Sequence, residues 1–164
     1  MPRKRRVARS LTHVDRRGRV YMVDVSAKPE TAREAIADAD IVMSARAIRA
    51  IRDHAVSKGD PLQTARLAGI AAAKRTSDLI PLCHPVPLTH VDVDLEPRPK
   101  GYRIVGRATT VGRTGVEMEA LVAVTIAALT VYDMLKAIDK GMAIGPVRLR
   151  EKRGGRSGEY RRSS

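Results

Sequence analysis

From Ala120 to Tyr132 the chain runs through thirteen residues without a single charge. A helix that is apolar on every side must be buried on every side. At 164 residues the chain has the length of one domain. Such a helix would then be the centre of the fold, with too little protein around it to cover it all, and a subunit interface is expected along it. Thr114 and Glu117 form a T-x-x-E pattern that predicts a capping box at its start, and the helical pattern extends to about Asp139. The same stretch contains Val122, Val124, Ile126 and Val131, which also favour strands.

The remaining elements follow from local signals. Arg19 to Val25 reads as a strand, and Ala32 to Met43 fits helix or strand. Ser44 can cap a helix through Ile48, Ile51 and Ala55. Asp60-Pro61 is a strong helix start, with an N-cap acid followed by proline at the first helical position. In that helix Ala65, Gly69 and Ala73 recur at four-residue spacing and would let a second helix approach closely. Pro81, Pro85 and Pro87 exclude a helix through the next segment. His90 to Leu95 alternates as a strand with one wet face, Pro97 to Gly101 turns, and Tyr102 to Val111 returns antiparallel. Gly141 ends the apolar element, and Ile144 to Arg150 is a last strand. This order predicts an α+β two-layer sandwich, with helices on one face of a small antiparallel sheet.

The net charge is +13, and most of it lies at the ends. Arg3, Lys4, Arg5, Arg6 and Arg9 crowd the first ten residues, and seven cations against two acids follow from Arg148 onward. The expected organisation is a basic, disordered extension over 1–10, one domain over 11–160 and a tail over 161–164. Basic ends attract anions. With four Tyr and no Phe or Trp, stacking on single-stranded nucleic acid is disfavoured. Cys83 is the only cysteine, which excludes an intramolecular disulfide and fits a reducing compartment. No secretory signal or membrane span is expected, so the expected location is the cytoplasm.

Three segments could carry chemistry. Leu82, Cys83 and His84 sit between Pro81 and Pro85, which hold an imidazole and a thiol on a stiff extended backbone. On pattern alone, His84 could equally be packed beside Leu82. Glu117, Met118 and Glu119 open the apolar helix. There the helix dipole favours acids, and carboxylates could also bind the amidine edge of a guanine. Asp133 and Lys136 close the helix on one face, either as a surface ion pair or as a partly buried proton-transfer unit. Lys58, Lys74 and Lys152 stand beside turns or helix ends, and the glycine-rich loop around Arg156 could cradle phosphate. The four histidines and one cysteine show no metal-ligand spacing, so no metal centre is expected.

Long contiguous stretches resemble the cyclic pyranopterin monophosphate synthase family. They are residues 22–28, 65–70, 72–85, 115–121, 132–137 and 144–149. The resemblance implies a ferredoxin-like subunit and a homohexamer built as a trimer of dimers. It implies a lyase of molybdenum cofactor (molybdopterin) biosynthesis that turns 3′,8-cyclo-7,8-dihydroguanosine 5′-triphosphate, made by an upstream radical enzyme, into a cyclic phosphate pterin and pyrophosphate. By the same resemblance Asp133, Lys136 and His84 are catalytic. Leu82, Cys83, His84, Glu117, Met118, Glu119, Lys58, Lys74 and Lys152 bind substrate. Arg156 replaces a lysine of the family pattern. No cofactor is required, although Mg²⁺ could accompany the triphosphate, and neither nucleic acid nor membrane is an expected partner. A basic RNA- or ribosome-associated protein is the competing class; it accounts for the charge but not for these motifs.

Overall fold

The computed structural model describes residues 14–163 apart from Arg16; the basic extension over 1–10 lies outside the described residues. Elements follow in the order β1 (Thr31–Val42), α1 (Ala45–Arg52), α2 (Pro61–Ala73), α3 (Thr76–Leu79), β2 (Leu88–Arg98), β3 (Gly101–Gly112), α4 (Glu117–Leu135), β4 (Ala143–Arg153) and β5 (Tyr160–Arg161). The sheet runs β2-β3-β1-β4-β5, and every neighbouring pair is antiparallel. Apart from the short β5 this is the ferredoxin-like split β-α-β arrangement. It is the α+β two-layer sandwich expected from the sequence.

β1 settles the ambiguity of residues 32–43, because β3 pairs along its whole length on one side and β4 pairs on the other. Its alternate residues Ala35, Ala37, Ala39 and Ile41 are buried under α4, as are Ile104 and Ala108 of β3. Small side chains and glycines let the layers close tightly. A Cβ on Gly106 would lie 2.7 Å from Val124, and one on Gly69 of α2 would lie 2.8 Å from the Ala123 carbonyl oxygen of α4. The four-residue spacing of small residues in α2 does serve helix–helix contact.

Local capping explains two helix starts. Asp60 accepts from the amides of Leu62 and Gln63 at 2.9 and 3.1 Å. Ser44 Oγ accepts from Ala47 N at 3.3 Å. The capping box at Thr114 does not form. α4 begins at Glu117 with Val116 in the N-cap position and no side-chain cap, which leaves Thr114 out of register. Nor is Arg19 to Val25 a strand. It has a single isolated bridge, Val20 to Val14. An Asx turn then breaks it, with Asp24 accepting from Ser26 N at 2.8 Å.

α4 is covered on its sheet side and by α2, and ten of its nineteen residues are buried. By length and composition alone it would suit a membrane span, but its burial marks a core helix. Within the stretch where an interface was expected, Val124 and Ala128 are fully buried in the subunit's own core. One stripe stays uncovered. Met118 and Leu129 are exposed, with Leu121 and Thr125 half-buried between them, and the stripe ends in exposed Asp133 and Lys136.

Among the described residues the opposite sheet face bears no helix, and it is held by charge. Along the register Asp92 faces Arg107, Glu96 and Asp40 both face Arg103, and Asp38 faces Arg148. Asp38 is only 2% exposed. Arg148 reaches it at 2.9 Å, Arg150 at 3.6 Å and Arg103 at 3.8 Å. Removing this carboxylate leaves three guanidinium groups facing one another. Asp38→Asn is expected to lower the free energy of unfolding by about 3 kcal/mol, read from the denaturation midpoint at unchanged m-value. A shift of only a few tenths would show that water already screens the cluster.

Candidate active site

The start of α4, the Leu82–His84 segment and the chain from Val23 to Lys28 enclose a cavity of about 400 Å³. Leu82, Cys83, His84, Glu117, Met118 and Glu119 all line it, so six of the expected substrate-contacting residues meet here. Pro81 and Pro85 keep their segment out of helix, and α3 delivers it to the N-terminal end of α4. His84 Nε2 lies 2.8 Å from the Val23 carbonyl oxygen. This bond fastens residues 23–25 across the cavity mouth and, with Nε2 as donor, leaves Nδ1 as an acceptor.

Glu119 is 4% exposed. Burial raises its carboxyl pKa to about 6, and the Glu117 charge pushes in the same direction. Burial, with Glu119 beside it, also raises the Cys83 thiol, which disfavours its thiolate. Gly115 lies against the Glu117 carboxylate: a Cβ there would fall 1.8 Å from Oε2 and displace that side chain.

A second, cationic cavity of about 850 Å³ adjoins the first and shares Lys28, Thr114, Gly115 and Glu117 with it. Arg33, Arg113, Lys152 and Arg156 also line it. Lys152 is hydrogen-bonded to Ser157 in the same loop. Arg156 thus supplies a cation where the family pattern has lysine. Lys28, Arg33, Arg113, Thr114 and Gly115 were not singled out as site residues. Lys28 and Gly115 fell inside recognised segments, whereas nothing local distinguishes Arg33 from the other arginines.

Asp133 and Lys136 lie elsewhere. Asp133 Oδ1 accepts from Lys136 Nζ and Oδ2 from Lys58 Nζ, both at 2.7 Å, and Lys58 also donates to the Asp133 carbonyl oxygen at 3.1 Å. The hydrogen bonds from Lys136 and then Lys58 hold the Asp133 carboxyl down at about 2. The same bond raises Lys136. All three side chains are about half exposed, so the cluster adds little to stability. Glu117 and Asp133 stand sixteen positions apart on one helix, about 24 Å at the usual rise. Within one subunit the acid–base cluster therefore cannot reach the cavity. Lys74, exposed at the C-cap of α2, lines neither cavity.

The burial of Glu119 predicts a pH dependence. In the folded chain its pKa lies above the ordinary 4.5. Its contribution to folding is therefore most favourable below that value and declines as pH rises through about 6. Binding to an amidine needs the ionised form and runs the other way. Affinity for a guanine-type ligand should fall as pH drops below about 6. Glu117, His84, Cys83 and Lys28 face the same cavity. Calorimetry on Glu119→Gln isolates the share of this carboxyl, because the acidic limb should vanish in that variant; a limb that persists would show that Glu119 is not its origin.

A family model described as the MoaC family matches residues 22–155. The chain is 56% identical over 158 residues to cyclic pyranopterin monophosphate synthase 1 of Mycobacterium tuberculosis, covering 96% of this chain and 93% of the relative. It is 55% identical over 154 residues to cyclic pyranopterin monophosphate synthase of Thermomicrobium roseum, with 93% of each chain covered. It is 58% identical over 153 residues to cyclic pyranopterin monophosphate synthase of Methylobacterium nodulans, covering 92% of this chain and 96% of the relative.

Proposed function

The chain belongs to the MoaC family, and on that footing we propose that it is a lyase converting 3′,8-cyclo-7,8-dihydroguanosine 5′-triphosphate to cyclic pyranopterin monophosphate and pyrophosphate. The setting is molybdenum cofactor biosynthesis in the cytoplasm, downstream of a radical enzyme that joins ribose C3′ to base C8. The observation that carries this reading is the pair of adjoining cavities with opposite chemistry. Acid in the first, buried Glu119 with half-buried Glu117, suits the amidine edge of a guanine. In the second, Lys28, Arg33, Lys152 and Arg156 have no carboxylate within ion-pair distance among the described residues and suit the triphosphate of the same molecule.

Opening the five-membered ring of the purine breaks a C–N bond and closing a pterin forms one, each with proton transfer and without net oxidation or reduction, so the reaction needs no redox cofactor. Cyclising the phosphate expels pyrophosphate, whose developing charge the cationic cavity stabilises. Mg²⁺ could arrive with the triphosphate.

The acid–base groups come from a second copy. A proton donor must come within hydrogen-bond reach of its target, and Asp133, Lys136 and Lys58 lie about 24 Å from the cavity of their own subunit. Both half-sites sit on one exposed stripe of α4, at its two ends. Two copies related by a twofold axis, with their α4 stripes antiparallel, bring Asp133 of each to the Met118 end of the other. This pairing also covers Leu129. It takes the Asp133–Lys136 pair out of water, which raises an acid, lowers an amine and draws the two pKa values together. Three such dimers form the hexamer.

The test is to incubate the purified protein with the cyclised GTP intermediate and follow product and pyrophosphate by mass. The expected result is a cyclic phosphate pterin with one pyrophosphate per turnover. No product, together with tightly co-purifying RNA, would favour the binding-protein class instead.

A further inference from the structure

We propose that Arg33 is a specificity-determining contact for the pyrophosphate portion of the substrate: a guanidinium oriented in advance by two backbone carbonyls to grip the β- and γ-phosphates. This rests on the synthase reading above. Arg33 Nε donates to the Gly112 carbonyl oxygen at 2.9 Å, and Nη2 donates to that of Arg113 at 3.2 Å. Of its five N–H groups, three then have no acceptor among the described residues. The side chain lines the cationic cavity. Arginines on the open sheet face, such as Arg103, Arg107 and Arg148, all have carboxylate partners. Among the described residues no carboxylate lies within ion-pair distance of Arg33, Lys28, Lys152 or Arg156.

The loop that carries Arg156 is shaped around this guanidinium. Gly154 and Gly155 both take positive φ, at 86° and 74°. A Cβ on Gly154 would lie 2.1 Å from the Ala32 carbonyl oxygen, and one on Gly155 would lie 2.0 Å from Arg33 Nη1. The two glycines therefore rest directly on the start of β1, and Arg33 joins that loop to the Gly112–Arg113 end of β3. It ties together the two segments that bring Lys152, Arg156 and Arg113 to one cavity. A fixed planar fork can bridge two phosphoryl groups, whereas a lysine offers one mobile point charge. Arg33 should therefore favour pyrophosphate over orthophosphate.

The test titrates inorganic pyrophosphate and orthophosphate calorimetrically into the parent, Arg33→Lys, Gly155→Ala and, as a control, Arg107→Lys. Synthase kinetics are measured alongside. Arg33→Lys should weaken pyrophosphate binding about tenfold or more, and orthophosphate binding less than about threefold. The kinetic loss should fall mainly on KM. Gly155→Ala, which displaces the guanidinium without changing charge, should act in the same direction, and Arg107→Lys should match the parent. Parent-like pyrophosphate affinity in both Arg33→Lys and Gly155→Ala overturns the proposal, as does an equal loss for the two anions. A parent that makes no pterin while Arg33→Lys still loses pyrophosphate refutes the synthase reading and leaves the anion site standing.

Discussion

Asp133→Asn should lower the single-turnover rate by about a thousandfold while leaving the unfolding midpoint close to that of the parent. The substitution keeps the shape of the side chain and one oxygen for Lys136 or Lys58. What it removes is the charge that holds both ammonium groups. Because the cluster is half exposed in the subunit, that loss costs little folding stability. The pH behaviour separates stability from catalysis. A depressed carboxyl contributes stability that is present above its ordinary value near 3.8 and is lost as pH falls toward about 2. Near neutral pH that contribution is fully present in the parent and absent from the variant, but the exposure of the cluster keeps it small, so a large drop in rate there is chemical. In the isolated subunit the bond between them favours ionised Asp133 and protonated Lys136. On the proposed reading Lys136 gives the proton and Asp133 orients it. Turnover near the parent rate in Asp133→Asn would reduce the pair to an ordinary helix-surface ion pair.

Much of the fold was legible because its signals are local. Asp60-Pro61 starts α2 through bonds to residues two and three positions on, and β2 shows its wet face in its alternation. Failures came where a distant partner decides. Thr114 and Glu117 have capping-box spacing, but the helix starts where the loop after β3 lets it, at Glu117. Val20 and Met22 alternate like a strand, yet Val20 pairs only with Val14 in an isolated bridge and the segment does not join the sheet. Six of the residues that the motifs single out line the first cavity. The motifs also placed Asp133 at the far end of the same helix, but did not reveal that Lys58, 75 positions earlier, is its partner. Nor could Asp38 be read as buried, because its partners come from β3 and β4. Arg33 is another such residue: its role depends on two carbonyls about 80 positions away.

Mixing two inactive variants should restore activity to about a quarter of the parent value. One variant is Asp133→Asn, which spoils only the acid–base end of α4. The other is the double substitution Glu119→Gln with Lys152→Ala, which spoils only the cavities. If each site takes its cavities from one copy and Asp133 from the other, a mixed twofold pair has one site carrying all three substitutions and one carrying none. Random pairing makes half of the dimers mixed, and half of the sites in those are intact. A site built within one chain would recover nothing. The mixture must be unfolded and refolded together, or co-expressed, so that subunits exchange. The same geometry makes Leu129, at the middle of the exposed α4 stripe, the residue on which pairing depends. Leu129→Glu would set two like charges against each other near the twofold axis, so this variant should dissociate and lose turnover while its cavities still bind pyrophosphate. Recovery in the mixture, its loss when Leu129→Glu is added to both partners, and an intact isolated fold in that variant would together locate the chemistry between two copies of α4. No recovery after verified exchange would place Asp133 outside the site.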